Sequence, residues 1–253
     1  MLYIFKAKNY KLVTEYIFFE AVNFDQESII MNKATEPTGK KGQIKEFQAK
    51  IDRNYDNFVA TLEYLKNLAS YPEFEYLELI NKEEIEKWDK KFEALKTQKS
   101  ELEKDGKVKD WEAFSYEMEQ SFLNLYKHNI KVYINILRYK LDDIYQYLRV
   151  QENGDLLAIQ SFQLPGTQDV MAIYDLKEEA MHLIYNKLDD LSRSVENLNK
   201  NNIEIYNKFL EKVRFFISEF RYYETDGLNR NILFNFINEL YNIIPEIVGS
   251  KTR

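Results

Sequence analysis

The chain has 253 residues, of which 45% are hydrophobic and 30% are charged, and its formal net charge is −7 at pH 7. This length is enough for one large domain with a real core, and the composition is that of a globular rather than a disordered protein. The acidic balance and the small share of arginine argue against a dedicated nucleic-acid binder. The absence of cysteine excludes disulfides, thiolate metal ligands and cysteine nucleophiles.

Neither a secretion signal nor a membrane-spanning helix is predicted. The first residues lack an apolar run that leads to a small-residue cleavage site, and no apolar run reaches the ~18 residues of a transmembrane helix. We therefore expect a cytoplasmic protein. The chain has 7 glycines and 4 prolines; because both residue types interrupt helices, their scarcity predicts few turns and long elements.

Residues 1–42 form a segment for which the sequence leaves the structure open. Leu2 to Ala7 is a candidate strand. Residues 10–24 fit a helix and also a strand, because their apolar spacing suits the first and their β-branched and aromatic content suits the second. The stretch from Lys33 to Gly42 predicts a loop.

Two helices are predicted in the next part of the chain. From about Gln43 to Leu68, apolar residues recur at every third or fourth position until a proline ends the pattern. Residues 82–105 carry one narrow apolar stripe between faces dense in Lys and Glu, which is typical of a coiled-coil arm. Asn81 and Glu84 predict a capping box at the start of this second helix.

Residues 108–150 predict a very long helix. Its second half is apolar over a wide arc, which is typical of a helix at the centre of a bundle. Residues 155–174 alternate between apolar and polar side chains around Pro165-Gly166, a pair that suits the middle of a type II turn. This pattern predicts a β-hairpin.

The stretch from Asp175 to Tyr223 contains no Gly and no Pro, and one apolar stripe follows it from Ala180 to Phe220. It predicts either one very long helix or two helices with a break at residues 197–202, where asparagines compete for backbone hydrogen bonds. Of the two, we favour the continuous helix. A last helix follows Gly227 and is predicted to end at Pro245.

Together these elements predict a mainly α fold, an elongated antiparallel helical bundle or coiled coil with a small β element. That β element is the hairpin at 155–174, with a candidate strand near the N-terminus. Since no repeat or compositional boundary divides residues 1–253, we expect a single domain. An unbroken helix over 176–223 would span on the order of 70 Å at 1.5 Å per residue, which favours an elongated or dimeric bundle.

The sequence offers little catalytic chemistry. Glu179 and His182 have the Glu-x-x-His spacing of helical di-iron sites, which require a second such pair. The other histidine, His128, has Leu125 three residues before it, so the second pair is missing. Glu179 is better explained as a complement to the helix dipole. We therefore expect no enzymatic activity, no cofactor, no metal ion and no small-molecule substrate.

Tyrosines on the long helices are the candidate binding residues, because a tyrosine has an apolar body and a polar tip and is favoured at interfaces. We predict a protein that binds another protein, or itself as a homodimer, through helix surfaces and without direct contact to nucleic acid. Half-buried core positions are the alternative explanation of the tyrosines. The candidate protein-binding residues are Tyr185, Tyr206, Tyr222, Tyr223 and Trp88.

Two alternative functions remain open. An acidic helical protein can occupy a basic nucleic-acid channel by charge complementarity, so the chain could be an inhibitor or accessory factor of a nucleic-acid-processing machine, encoded by a mobile element. The second alternative rests on architecture. A hairpin at 155–174 between two very long helices resembles helical pore-forming toxins of the cytolysin A type, in which a tongue interrupts long helices. This resemblance implies a pore-forming function.

Overall fold

The structure is a computed structural model, and the part of the chain that it describes is residues 39–71, 74, 79–151, 162–163, 170–171, 179–223 and 227–249. These residues form six α-helices, which are α1 (Lys40–Ala69), α2 (Lys82–Asp105), α3 (Val108–Gln151), α4 (Glu179–Ser194), α5 (Ile203–Glu219) and α6 (Arg230–Gly249). The protein is mainly helical, which confirms the predicted fold class in this coarse form. The predictions for Leu2 to Ala7 and for residues 10–24 lie outside the described residues.

Helix α1 begins inside the predicted loop 33–42, since Lys40 is already helical. Gly39, with a φ of 121°, precedes it and its carbonyl accepts a hydrogen bond from the Gly42 amide at 3.0 Å. A residue other than glycine would be strained at this φ. The loop prediction is therefore wrong for its last three residues, because the glycine marks the start of the helix and not the middle of a loop.

Antiparallel pairing joins Phe162 to Met171 and Gln163 to Val170. The two strands, β1 (Phe162–Gln163) and β2 (Val170–Met171), are two residues long each. This short pairing does not establish the hairpin predicted over 155–174, most of which lies outside the described residues. The hairpin stays a prediction.

The described residues up to Tyr64 and those from Glu86 to Phe122 belong to one compact unit. Its aromatic centre joins α1 to α2: the Phe58 ring stacks on Phe92 at 5.6 Å between centroids and meets Trp88 edge-on at 6.1 Å. Residues 82–105, the predicted coiled-coil arm, thus form a helix that packs within the chain. A coiled-coil pairing of this helix stays a prediction.

The start of α2 confirms one half of the predicted capping box. The Asn81 side-chain oxygen accepts hydrogen bonds from the amides of Glu83 (2.9 Å) and Glu84 (3.4 Å). These amides have no partner within the helix, which is why a side-chain cap is stabilising there. The Glu84 carboxylate, expected to return to the Asn81 amide, lies instead 3.4 Å from Nδ1 of His128 on α3.

The described residues within Leu65–Ile85 and Leu123–Arg253 belong to a second compact unit. In it, the second half of α3 packs antiparallel to α4. Arg138 pairs with Asp189, and four residues further along α3 Asp142 accepts a hydrogen bond from Tyr185, four residues earlier on α4. The 44-residue helix α3 itself is continuous, as predicted for 108–150.

Helices α5 and α6 complete a four-helix bundle in this unit. Helix α5 runs parallel to α3, because Tyr126 bonds Asn207 and, further along both helices, Tyr133 accepts from Arg214. Helix α6 packs against both α4 and α5. It runs antiparallel to α5, where Phe216 stacks on Phe236 at 4.0 Å between centroids and Lys212 lies 2.9 Å from Glu239.

The continuous helix that the sequence favoured over Asp175 to Tyr223 is wrong, and the alternative of a break is confirmed. Helix α4 ends at Ser194, a single 3-10 turn follows over Val195–Asn197, and α5 begins at Ile203. The chain reverses between them. The apolar stripe continues in sequence, but it is divided between two helices that run in opposite directions.

Asparagine side chains build the reversal. The Asn202 amide oxygen accepts a hydrogen bond from the Asn199 N–H at 2.8 Å, and its amide nitrogen donates to the Asn197 carbonyl at 3.3 Å. The Asn199 side chain in turn accepts from the Asn201 N–H at 2.9 Å. Asparagine is suited to this role because its short amide satisfies nearby backbone groups outside a helix.

The prediction that the last helix ends at Pro245 is also wrong, because α6 continues to Gly249. A proline within a helix removes one hydrogen bond and crowds the carbonyl four residues earlier, at a cost of roughly 3 kcal/mol. Apolar burial on both sides of the proline offsets this cost: Ile243, Ile244 and Ile247 are 6%, 3% and 1% exposed.

We expect the substitution Asn202→Ala to lower the free energy of unfolding by roughly 1 kcal/mol, because two hydrogen bonds of the reversal are lost. Urea denaturation followed by circular dichroism measures the change. Asn201→Ala is the matched control, since the described structure assigns no hydrogen bond to that side chain. Equal midpoints for both variants and the wild type would contradict a structural role for the asparagine network.

Candidate interaction surface

Two of the five predicted binding residues are buried between helices. Tyr206 is 1% exposed and its hydroxyl lies 3.3 Å from the hydroxyl of Ser194. Tyr223 is 3% exposed, and its hydroxyl donates to the Asp143 carboxylate at 2.8 Å while its ring meets Tyr147 edge-on at 5.0 Å. The contacts described for both tyrosines are therefore internal to the chain.

Tyr185 and Trp88 are half-buried. The Tyr185 hydroxyl donates to the Asp142 carboxylate at 3.2 Å. Burial raises the pKa of this phenol, and the negative charge of Asp142 raises it further, so the hydroxyl keeps its proton and remains a donor. Trp88 packs on Phe58, as described above, so neither residue presents a whole side chain to a partner.

Tyr222, the fifth predicted residue, is exposed. Its exposed fraction is 58%, and Phe215, seven residues earlier, is 53% exposed. Two large aromatic side chains thus reach solvent, Phe215 in the last turns of α5 and Tyr222 three residues after the helix ends at Glu219. We call Phe215, Arg221 and Tyr222, together with Tyr71, the α5-end surface.

The outward position of Phe215 follows from the helical period. Val213, Phe216 and Phe220 are spaced by three and four residues and are all buried, so they occupy the side of α5 that faces the bundle. Phe215 is adjacent to Phe216 and is therefore turned about 100° away from it. The Phe215-Phe216 doublet is the signal in the sequence that one aromatic ring had to point away from the core.

Arg221 lies against two aromatic rings of this surface. Its guanidinium carbon is 4.2 Å from the ring centre of Tyr71 and 5.1 Å from that of Tyr222. The Tyr71 ring meets Phe74 edge-on at 5.6 Å, and Phe74 is 1% exposed. The stack is thereby anchored to the core of its compact unit.

Arg221 differs from other arginines of the chain in its electrostatic surroundings. Arg138 pairs with Asp189, and Arg193 lies 2.6 Å from Asp190. Within the described residues, no carboxylate lies within ion-pair distance of Arg221, and its guanidinium donates no hydrogen bond. The sequence analysis did not single out this residue, because its ring partner Tyr71 is far away in the chain.

The groove between α5 and α6 contrasts with this surface. It has a volume of about 410 Å³, and its lining is dominated by charged side chains, which are Lys208, Glu211, Lys212, Glu239 and Glu246. The two lysines have carboxylate partners, Lys212 with Glu239 at 2.9 Å and Lys208 with Glu204 at 3.4 Å. Its charges are thus largely compensated within the chain.

In the described part of the chain, no three His, Asp or Glu side chains come together as metal ligands. Among the same residues, no helix has both the length and the apolar character needed to cross a membrane. No protein-family profile matches the chain, and comparisons with curated proteins and with solved structures gave no match.

His128 is a titratable group in a partly desolvated place. Its side chain is 22% exposed and Nδ1 lies 3.4 Å from the Glu84 carboxylate. Burial lowers the pKa of the imidazole; Glu84 opposes this shift and the nearby Lys131 adds to it. With a lowered pKa in the folded state, the unfolded chain takes up the proton first as the pH falls.

We therefore expect the free energy of unfolding to fall as the pH drops below the ordinary histidine pKa of about 6.5. The loss should continue until the pH passes the lower pKa of the folded state. Urea denaturation of the wild type and of His128→Gln between pH 7.5 and 5 measures this loss. The difference between their free energies of unfolding should shrink as the pH falls. His182→Gln, at an exposed position, is the control and should follow the wild type. A His128→Gln curve parallel to the wild type would show that His128 does not titrate this way.

Proposed function

We propose that the protein is a non-enzymatic helical binding protein that recognises another protein through the α5-end surface. The supporting observation is the exposure of Phe215 and Tyr222 at 53% and 58% beside the stacked Arg221. Aromatic residues and arginine dominate the energetics of protein interfaces. Single exposed aromatic residues are ordinary, but here two of them and an arginine lie within eight residues of the chain, Phe215 in the last turns of α5 and Arg221 and Tyr222 just after its end.

The rigidity of α5 supports the same proposal. Its opposite side is fixed in the bundle by Phe209, Val213 and Phe216, each 0% exposed. An interface on a well-packed helix loses little conformational entropy on binding. Recognition of this surface by a partner would therefore require little rearrangement of the chain.

Self-association is a second form of this proposal. A second copy could bind through the α5-end surface, or helix α2 could pair as a coiled coil through its lysine- and glutamate-rich flanks, in an elongated assembly. We place this activity in the cytoplasm. Light scattering after size-exclusion chromatography tests self-association. A monomer at high protein concentration would exclude self-association, and binding to a different protein would then be the remaining form of the proposal.

The alternative of an accessory factor for a nucleic-acid-processing machine is supported by the net charge of −7. Its partner surface would be basic, and binding would weaken steeply with salt. Weak salt dependence would favour the aromatic interface instead. The pore-forming alternative depends on residues 155–174 and stays a prediction.

The double variant Phe215→Ala, Tyr222→Ala should lose partner binding at least tenfold, which corresponds to about 1.4 kcal/mol. Affinity purification of the tagged wild type from the native host, with mass spectrometry, identifies the partner, and calorimetry then compares the affinities of the variants. The free energy of unfolding should change by no more than about 0.5 kcal/mol per substitution, because both side chains are exposed.

Tyr116→Ala is the matched control for this experiment. Tyr116 is 67% exposed and lies on α3, in the other compact unit. We expect this variant to bind like the wild type. A partner that the double variant retains, or that Tyr116→Ala loses, would overturn the assignment to the α5-end surface.

A further inference from the structure

We infer that Arg221 is the receptor for a carboxylate of the partner protein. The partner would present an Asp or Glu side chain next to an apolar residue, so that the carboxylate meets the guanidinium and the apolar group packs on Tyr222 and Phe215. This inference rests on the proposed function, and it specifies the chemistry of the partner at one point of the surface.

The stacking of Arg221 prepares it for this role. With its guanidinium carbon 4.2 Å from the Tyr71 ring centre and 5.1 Å from that of Tyr222, the group is held by two cation–π contacts. Contacts of this kind contribute about 0.5–1 kcal/mol each at exposed sites. A guanidinium that lies flat on a ring keeps the N–H groups at its edge available for hydrogen bonds. A fixed planar fork matches the two oxygens of a carboxylate.

The lack of a carboxylate beside Arg221 in the described part of the chain points to an anion as its binding partner. Arg138 and Arg193 each have an aspartate, whereas Arg221 has no carboxylate partner among the described residues. Arg221 is also partly buried, so its charge has already lost some hydration in the free protein. An incoming carboxylate would gain an ion pair there without breaking one between residues that the structure describes.

The surroundings favour a protein carboxylate over a nucleic acid. Affinity for nucleic acid grows with the number of phosphates that basic side chains neutralise, and Arg221 is a single cation. Glu211 and Glu219 are exposed on the same helix, and the chain carries a net charge of −7. A polyanion would be repelled by these charges, while one carboxylate with an apolar neighbour fits one guanidinium between aromatic rings.

Selection from a random dodecapeptide display library, on the full chain at 150 mM salt with counter-selection on Arg221→Gln, tests the inference. We expect the retained peptides to be enriched in Asp or Glu next to aromatic or aliphatic residues. A synthetic peptide from the selection should bind the wild type at least tenfold more tightly than Arg221→Gln. Its own Glu→Gln version should lose a similar factor, and Arg221→Lys should also bind more weakly because an ammonium lacks the planar fork.

Arg193→Gln is the matched control, since it removes the same charge from an arginine that is 72% exposed and paired with Asp190. This variant should bind the peptide like the wild type. A twenty-nucleotide oligothymidylate should not compete with the peptide. Competition that depends on Arg221 would assign the surface to nucleic acid and overturn the inference.

The remaining outcomes separate the inference from the proposed function. A parallel selection on the wild type without counter-selection provides the other outcome. Peptides from it that lack acidic enrichment and bind Arg221→Gln normally, but no longer bind the double variant Phe215→Ala, Tyr222→Ala, would overturn the carboxylate receptor and leave the interaction surface intact. A selection in which no peptide depends on Arg221 or on the aromatic pair would overturn both.

Discussion

The chain reversal at Asn197–Asn202 is the constraint on which the architecture depends. The apolar stripe before and after it is continuous in sequence, so a straight helix would carry the second half of the stripe away from the partners of the first. Because the chain turns back, α4 and α5 both place their apolar sides against the wide apolar arc of α3. The reversal also sets α5 parallel to α3 and brings its C-terminal end, with Arg221, against Tyr71.

Tyrosine serves two purposes in this bundle. Three tyrosine rings lie between helices and donate hydrogen bonds from their hydroxyls to side chains of a neighbouring helix. The pairs are Tyr126 with Asn207, Tyr185 with Asp142, and Tyr223 with Asp143. A buried phenol without a partner would be destabilising, so these polar tips fix which residues lie opposite one another. Most of the tyrosines that suggested a binding surface therefore have internal contacts, and exposure distinguishes Tyr222 from them.

Local signals predicted helices in the described part of the chain, and tertiary burial decided where some of them end. The Asn81 cap and the uninterrupted helix at 108–150 follow from short-range chemistry. At Pro245 the local preference for a helix end is opposed by burial, because the buried isoleucines on both sides stabilise the continued helix. At residues 197–202 the local preference was ambiguous, and no comparable burial stabilises a helix across the four asparagines. The sequence predicted only part of the α5-end surface, because Tyr222 was chosen for its residue type. The contact of Arg221 with Tyr71 joins distant parts of the chain and therefore produces no pattern in the sequence.

Several charged side chains of this acidic chain pair locally. Pairs such as Lys50 with Glu46 and Arg193 with Asp190 lie within one helical turn of each other, and such exposed pairs contribute only a few tenths of a kcal/mol. Within the described residues Arg221 contacts aromatic rings and no carboxylate, so no ion pair of this guanidinium contributes to the packing of that part of the chain. Replacing Arg221 would remove its two cation–π contacts, which contribute about 0.5–1 kcal/mol each at exposed sites, and no ion pair between described residues. This separation of folding from binding makes the α5-end surface accessible to mutational analysis.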